Sequence, residues 1–392
     1  VTGVQTCALP ISVQAVEMEG ETQDWGLANL NIPNAWSKTK GKGMVVGVLD
    51  TGVMKGHRDL KNQILSAKDF SGSASGADDK NGHGTWCVGS IIAEENGWGM
   101  IGAAPAAKAR VYKVLGDDGT GDTDNIAKAI RQAVDDGCDV LSMSLGGPDS
   151  DTATPAALAY ARSKGVIVIC AAGNDGPREN SIDYPGNYDG VVAVAAHDSN
   201  NRTADFSSRG KRVFISGPGV ASRSTWPGAG EGQFSTISGT SMAVPRIAAL
   251  ALLWCSANPT IAKTDRPTKF EEALRASATK PNNRTTSYGY GKPDTVKLLA
   301  YKSTPSPGTP PVIPVINSIE ITETDLSVSG LAKLNAAGFK SFSFVLKSGN
   351  GSTSGVQSKS LDPLPIGTAP GPDYSWRYLP GIGWGYVHKD VK

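Results

Sequence analysis

Cysteine is scarce: the 392 residues hold five, none in C-x-x-C spacing, so a disulfide scaffold and a structural zinc site are both disfavoured. An excess of charge of either sign is also missing. With 38 basic against 37 acidic residues, no chain-wide field points to nucleic acid or to an anionic membrane, and neither is expected as a partner. The longest apolar runs, residues 166–172 and 247–255, fall short of the roughly 18 residues of a spanning helix. Glycine is what the chain has in excess, 47 residues without a collagen-like period, against about 7% in average chains. That composition suits many tight loops. The length allows about two to three domains.

The first segment stands apart. Residues 1–11 (VTGVQTCALPI) are the peptide that a common sequencing-adapter oligonucleotide encodes in frame, and are read as an assembly artefact; Cys7 then drops out of the natural cysteines. From about residue 43 to 196, short apolar runs alternate with helix-period segments. The runs at 44–50, 109–115, 139–145, 165–172 and 191–196 are near-continuously apolar, as parallel strands covered on both faces should be. Between them, Ile126, Ala129, Ile130, Ala133 and Val134 share one helical face, and Gly137 follows as a stop. This alternation predicts a doubly wound, mostly parallel α/β sheet flanked by helices, with functional loops at the carboxyl ends of the strands. A proline-rich linker at 303–316 separates it from a small β-rich C-terminal module, 317–392, with alternation at 341–346 and a late cluster of tyrosines and tryptophans. No motif in that module carries chemistry.

Three short segments fall where such a fold puts strand ends and helix starts: Asp50-Thr51-Gly52 after a strand, His83-Gly84-Thr85 opening a helix, and Gly239-Thr240-Ser241-Met242-Ala243 opening another. A hydroxyl nucleophile, a base near pKa 7 and a carboxylate to orient that base are the parts of an acyl-transfer site. Each segment alone is weak. A D-T-G also serves aspartic proteases, but those need two copies and this chain has one. Four histidines exist: His83 is the base candidate, His57 neighbours Asp59, and His197 and His388 are expected at the surface.

The order Asp, His, Ser, together with Gly56-His57-Arg58-Asp59-Leu60, Ser144-Leu145-Gly146-Gly147, Ala171-Ala172-Gly173-Asn174, Phe206-Ser207-Ser208-Arg209-Gly210 and Tyr288-Gly289-Tyr290-Gly291, resembles the subtilisin-type serine proteases of the subtilase family. The resemblance spans roughly residues 21–301. It implies a serine endopeptidase domain at 21–302, with Asp50, His83 and Ser241 as the triad. Asn174 and the Ser241 N–H would be the oxyanion donors. Substrate would lie as an extended strand between Gly119, Thr120 and Gly121 on one side and Ser144, Leu145 and Gly146 on the other, beside Ala171, Ala172 and Gly173. Pro245 is expected in the first turn of the nucleophile helix, where its missing N–H is harmless.

Alignment of Tyr184-Pro185-Gly186 places Asp183 at the base of the primary specificity pocket, implying a preference for Lys or Arg at P1; an aspartate turned to solvent is an equally open reading. Asp117, Asp118, Asp122 and Asp124 would add a weak preference for basic peptides. The resemblance further implies a structural Ca²⁺ held by Glu21, Asp59 and Asn96 with the carbonyls of Glu94, Trp98 and Met100, and no catalytic cofactor. Residues 12–20 resemble the end of an inhibitory propeptide, cleaved near 20–22, which would act as cognate inhibitor of a secreted monomer. Two departures from the family pattern, Trp86 and Arg246, imply altered packing around the nucleophile helix. Cys87, Cys138, Cys170 and Cys255 read as small buried hydrophobes. A catalytically impaired, binding-only relative is the alternative; its mark would be a missing triad or oxyanion residue.

Overall fold

The computed structural model describes residues 3–6, 20–230, 232–280, 282–302, 374–379 and 383–388. In chain order the first unit contains β1 (Gly3–Thr6), β2 (Glu21–Thr22), α1 (Trp25–Asn29), α2 (Ile32–Ala35), β3 (Val45–Asp50), β4 (Ile64–Asp69), α3 (His83–Ile92), β5 (Gly99–Met100), β6 (Lys108–Lys113), β7 (Thr120–Asp122), α4 (Thr123–Asp135), β8 (Val140–Met143), β9 (Leu145–Gly146), α5 (Ala153–Ser163), β10 (Ile167–Ala171), β11 (Val192–His197), β12 (Val213–Pro218), β13 (Ser222–Trp226), β14 (Gln233–Ile237), α6 (Thr240–Ala257), α7 (Arg266–Ser277) and α8 (Thr295–Ala300). The chain divides into two units, Val1–Ser303 and Thr304–Lys392. In the second, β15 (Tyr374–Leu379) and β16 (Gly383–His388) pair antiparallel. The expected linker at 303–316 and strand at 341–346 lie outside the described residues.

Seven strands form one parallel sheet in the order β12-β11-β10-β8-β3-β6-β4. Period-two alternation assigns each strand's side chains to two helical layers. Val46 and Val48 of β3, with Ile167, Ile169 and Ala171 of β10, join the core that includes α3 and α6. Leu49, Leu141, Met143, Val168 and Cys170 join the core of α4 and α5. Helix α6 has apolar residues all round because it is enclosed on every face, buried from Thr240 to Cys255, with Arg246 its one charged residue. Its 18 residues are long and apolar enough to cross a membrane by composition alone, and here they form the core helix of a globular unit.

The five apolar runs expected as strands are β3, β6, β8 with β9, β10 and β11. Two further sheet strands, β4 and β12, and the hairpin β13-β14 are additions. β4 sits at the sheet edge with no buried position, so it lacks the continuous apolar run that marks a central strand.

The chain enters the sheet in the middle, at β3, winds to one edge through β4 and β6, then crosses to the other side for β8, β10, β11 and β12. The carboxyl ends of β3 and β8 therefore flank the point where the winding reverses, the place where doubly wound sheets open a crevice. Asp50 is the last residue of β3, and Ser144 directly follows β8.

Candidate active site

His83 is the first residue of α3, and its helix is held against the end of β3 by a missing side chain. A Cβ on Gly84 would lie 2.2 Å from the Gly52 carbonyl oxygen, so glycine alone lets the two backbones touch. Thr51 Oγ1 accepts from Gly84 N at 2.9 Å and donates to Asp79 Oδ1 at 2.9 Å. Asp79 in turn accepts from Gly82 N, Asn81 N, Thr85 N and Thr85 Oγ1, using its charge to satisfy the open N–H groups at the start of α3. This carboxylate went unnoticed in the sequence, although its place four residues before His83 was legible.

Within that frame His83 Nδ1 donates to Asp50 Oδ1 at 2.7 Å, both side chains being buried. Asp50 Oδ1 also accepts from Thr51 N at 2.8 Å. Cys87 lies one turn behind, its Sγ 3.9 Å from His83 Nδ1. Burial, reinforced by the negative charge of Asp50, pushes the Cys87 thiol well up, so it stays protonated and is no rival nucleophile. All four cysteines beyond Cys7 are buried and free, as read.

Ser241 is the second residue of α6 and is fully buried. Its Oγ donates to the Ser144 carbonyl at 2.8 Å, while Ser144 Oγ donates to the Ser241 carbonyl at 2.9 Å. Pro245 is not in the first turn, as expected, but in the second, inside α6. The carbonyl it leaves without a helix donor is that of Ser241, four residues back.

Asn174 closes the far side. Its Oδ1 accepts from both Thr240 N and Thr240 Oγ1 at 3.0 Å, capping α6 and leaving its amide N–H groups for another acceptor. Gly173, at φ +105°, could not carry a side chain, because a Cβ would meet Asp183 Oδ2 at 2.5 Å and Ser208 Oγ at 2.9 Å. Asp183 is thus buried against the strand that runs to Asn174, and its backbone N donates to Ala172 O at 2.9 Å.

Between β7 and β9 lies a strand that the sequence had not placed there. β1 pairs antiparallel with both, Gln5 opposite Thr120 and Gly146, with Thr6 N donating to Gly119 O at 3.2 Å. Val4 is buried in the cluster of Leu115, Ile126 and Leu145. Gly147 permits the approach, since a Cβ there would stand 2.7 Å from Gly3 O. Backbone pairing of this kind is indifferent to side chains, so even a segment read as adapter-coded fits between β7 and β9 as an extended strand.

Three of the four acids around this edge are used by the fold. Asp117 pairs with Lys113, Asp118 accepts from Thr120, and Asp122 caps α4 through Asp124 N. Lys113 and the Thr120 donors hold the Asp117 and Asp118 carboxyls below their usual range.

At the other end of α3, Glu21 Oε1 accepts from Asn96 N at 2.8 Å and Gly97 N at 3.1 Å. Asp59 accepts from Asn96 Nδ2 and Met100 N, and the Glu94 N–H donates to the Asp59 carbonyl. Burial first, then the nearby Glu21, pushes the Asp59 carboxyl up to about 6. Two carboxylates and an asparagine side chain thus meet on one loop, where Asn96 turns its amide nitrogen to Asp59 and its oxygen accepts from Trp98 N at 2.9 Å.

His197 is not at the surface. It is fully buried, bonded to Ser216 Oγ at 2.8 Å and Asn29 Oδ1 at 3.0 Å. The two departures are buried as well. Arg246 pairs with Asp24 at 2.9 Å and donates to Ser90 O, and Trp86 Nε1 donates to Ser235 O. Asp24 also accepts from Gly26 N and Arg223 N, so the carboxylate is well supplied with donors, while the buried Arg246 Nε has no partner among the described residues.

A model of the subtilase family matches residues 41–291. Subtilisin DY of Bacillus licheniformis is 38% identical over 255 residues, 64% of this chain and 89% of that protein. The intracellular serine protease of Paenibacillus polymyxa is 38% identical over 258 residues, 63% and 78% of the two chains. Thermitase of Thermoactinomyces vulgaris is 32% identical over 281 residues, 71% of this chain and 97% of its own.

Proposed function

The chain belongs to the subtilase family and is a serine-type endopeptidase, and we propose that it cleaves peptide bonds through an acyl-enzyme formed on Ser241. The observation that carries the assignment is the buried 2.7 Å bond from His83 to Asp50 at the winding reversal of the sheet. With Nδ1 committed to Asp50, the other nitrogen of His83 is the base that takes the Ser241 proton and returns it to the leaving amine. Water then repeats the sequence on the acyl-enzyme. The tetrahedral oxyanion is received by Asn174 Nδ2 and the Ser241 N–H, the latter among the open donors at the start of α6. Thr240 supports that reading by holding Asn174 through its other amide atom.

Substrate runs where β1 runs, paired on one side with Gly119, Thr120 and Gly121 and on the other with Ser144, Leu145 and Gly146, its P1 side chain passing Ala171, Ala172 and Gly173 toward Asp183. A carboxylate buried there favours Lys or Arg at P1. Glu21, Asp59 and Asn96, with the carbonyls of Glu94, Trp98 and Met100, would hold a structural Ca²⁺, whose charge would offset the two carboxylates and whose ligands would come from the segment before α1 and the loop after α3. No catalytic cofactor is needed. We read the enzyme as a secreted monomer released from a propeptide by cleavage near residues 20–22. Labelling with a fluorophosphonate tests the core assignment: the adduct is expected on Ser241 in the folded protein and lost in His83→Ala, and an unlabelled Ser241 overturns it.

A further inference from the structure

We propose that the Ser144 hydroxyl is a positioning residue for the nucleophile, standing in for the helix N–H that Pro245 cannot supply. In a regular helix the Ser241 carbonyl would accept from the N–H four residues on. That residue is Pro245, which has no N–H and crowds the same carbonyl with its ring. The carbonyl belongs to a fully buried residue, and a buried carbonyl without a donor is costly. Ser144 Oγ meets it at 2.9 Å, from a side chain only 1% exposed. Cys87 Sγ, a weak donor, stands 4.0 Å from the same carbonyl. A side chain on the substrate-pairing segment thus fixes the peptide that carries the nucleophile.

The bond is one of two. The Ser144 carbonyl accepts from Ser241 Oγ at 2.8 Å, so the two residues are closed into a ring of reciprocal hydrogen bonds. The hydroxyl half of the ring must break when Ser241 turns to His83. The Ser144 Oγ half need not, and it keeps the Ser241 backbone, including the N–H offered to the oxyanion, in register while the side chain moves. The role is therefore felt in the acylation step more than in substrate pairing, which uses the Ser144 backbone.

This inference rests on Ser241 being the nucleophile. Ser144→Ala is expected to lower kcat on the order of tenfold with KM within about twofold, the scale of one buried hydrogen bond. Adding Pro245→Ala restores an N–H at the fourth residue and is expected to return most of the lost kcat. Ser144→Thr, which keeps the hydroxyl, is expected to stay near the parent and serves where the alanine variant does not fold. An unchanged kcat in Ser144→Ala, a loss that Pro245→Ala fails to restore, or an equal loss in the threonine variant overturns the inference. The rate of fluorophosphonate labelling separates the two ideas. An unlabelled parent enzyme overturns the functional reading, whereas a labelled parent with Ser144→Ala labelled at the same rate overturns the positioning role alone.

Discussion

Asp50 and His83 share a 2.7 Å hydrogen bond in which neither side chain meets solvent. The carboxylate selects the imidazole tautomer with its proton on Nδ1 and stabilises the imidazolium that forms. Asp50→Asn is expected to cut kcat by about four orders of magnitude while leaving KM within a few-fold, as read by steady-state hydrolysis of a peptide anilide. A fall of less than tenfold would place the orienting charge elsewhere.

Under the proposed mechanism Asn174 has two tasks, oxyanion donor and partner of Thr240, that substitutions can separate. Leucine removes both the oxyanion donor and the cap on Thr240; the expected result is a kcat about 10²- to 10³-fold lower and a fold weaker by about 1 kcal/mol. Aspartate keeps the accepting oxygen for Thr240 and loses only the donor. It should match leucine in kcat and the parent in thermal midpoint.

Calcium is expected to raise the thermal midpoint, with a contribution of about 2.7 kcal/mol when the free ion is a hundredfold above its dissociation constant. Scanning calorimetry with and without chelator reads this directly. In Asn96→Ala or Asp59→Asn the two scans should coincide, and a chelator effect that survives both substitutions would move the ion to another site.

At Asp183 the expectation concerns a ratio. Peptides differing only at P1 should favour Arg over Phe in the parent, and Asp183→Ser should reduce that ratio by roughly tenfold. Equal ratios in the two proteins would mean that the carboxylate serves Gly173 and its neighbours instead of substrate.

His197 supplies a pH dependence. Burial, with a smaller part from Lys292, lowers its pKa to about 3, whereas in the unfolded chain it titrates near 6.5. Between those values the unfolded state holds one more proton. Stability is therefore fully present above about pH 6.5 and is lost as pH falls, by up to about 1.4 kcal/mol per unit. Urea unfolding of a Ser241→Ala background at pH 7.5 and 5.0 should show about 2 kcal/mol of the acid loss disappearing in His197→Gln. An identical loss with and without the imidazole would refute the assignment.

What could be read along the chain was whatever sits in a short segment. Asp50 ends an apolar strand, His83 opens a helix, and their neighbours Thr51 and Gly84 are adjacent in sequence, so the local pattern carried them. His197 could not be read this way, because Ser216 meets it only through the pairing of β11 with β12 and Asn29 comes from a distant part of the chain. Arg246 is similar: its partner Asp24 lies more than two hundred residues away. β4 and the hairpin β13-β14 were missed because polar residues interrupt the apolar signal. Pro245 was placed one turn early, and with that shift the need of the Ser241 carbonyl for an outside donor was invisible.

The strand lying between β7 and β9 uses both edges of its backbone at once. A strand already paired in its own sheet has at most one edge to offer, so it can fill such a place only after it opens, whereas an extended surface loop has both edges free. On the binding mode proposed above, the enzyme is expected to discriminate by foldedness before it discriminates by sequence. For two targets with the same scissile residues, the relative rate of digestion follows the free energy of local opening around the bond whenever opening and closing outpace cleavage.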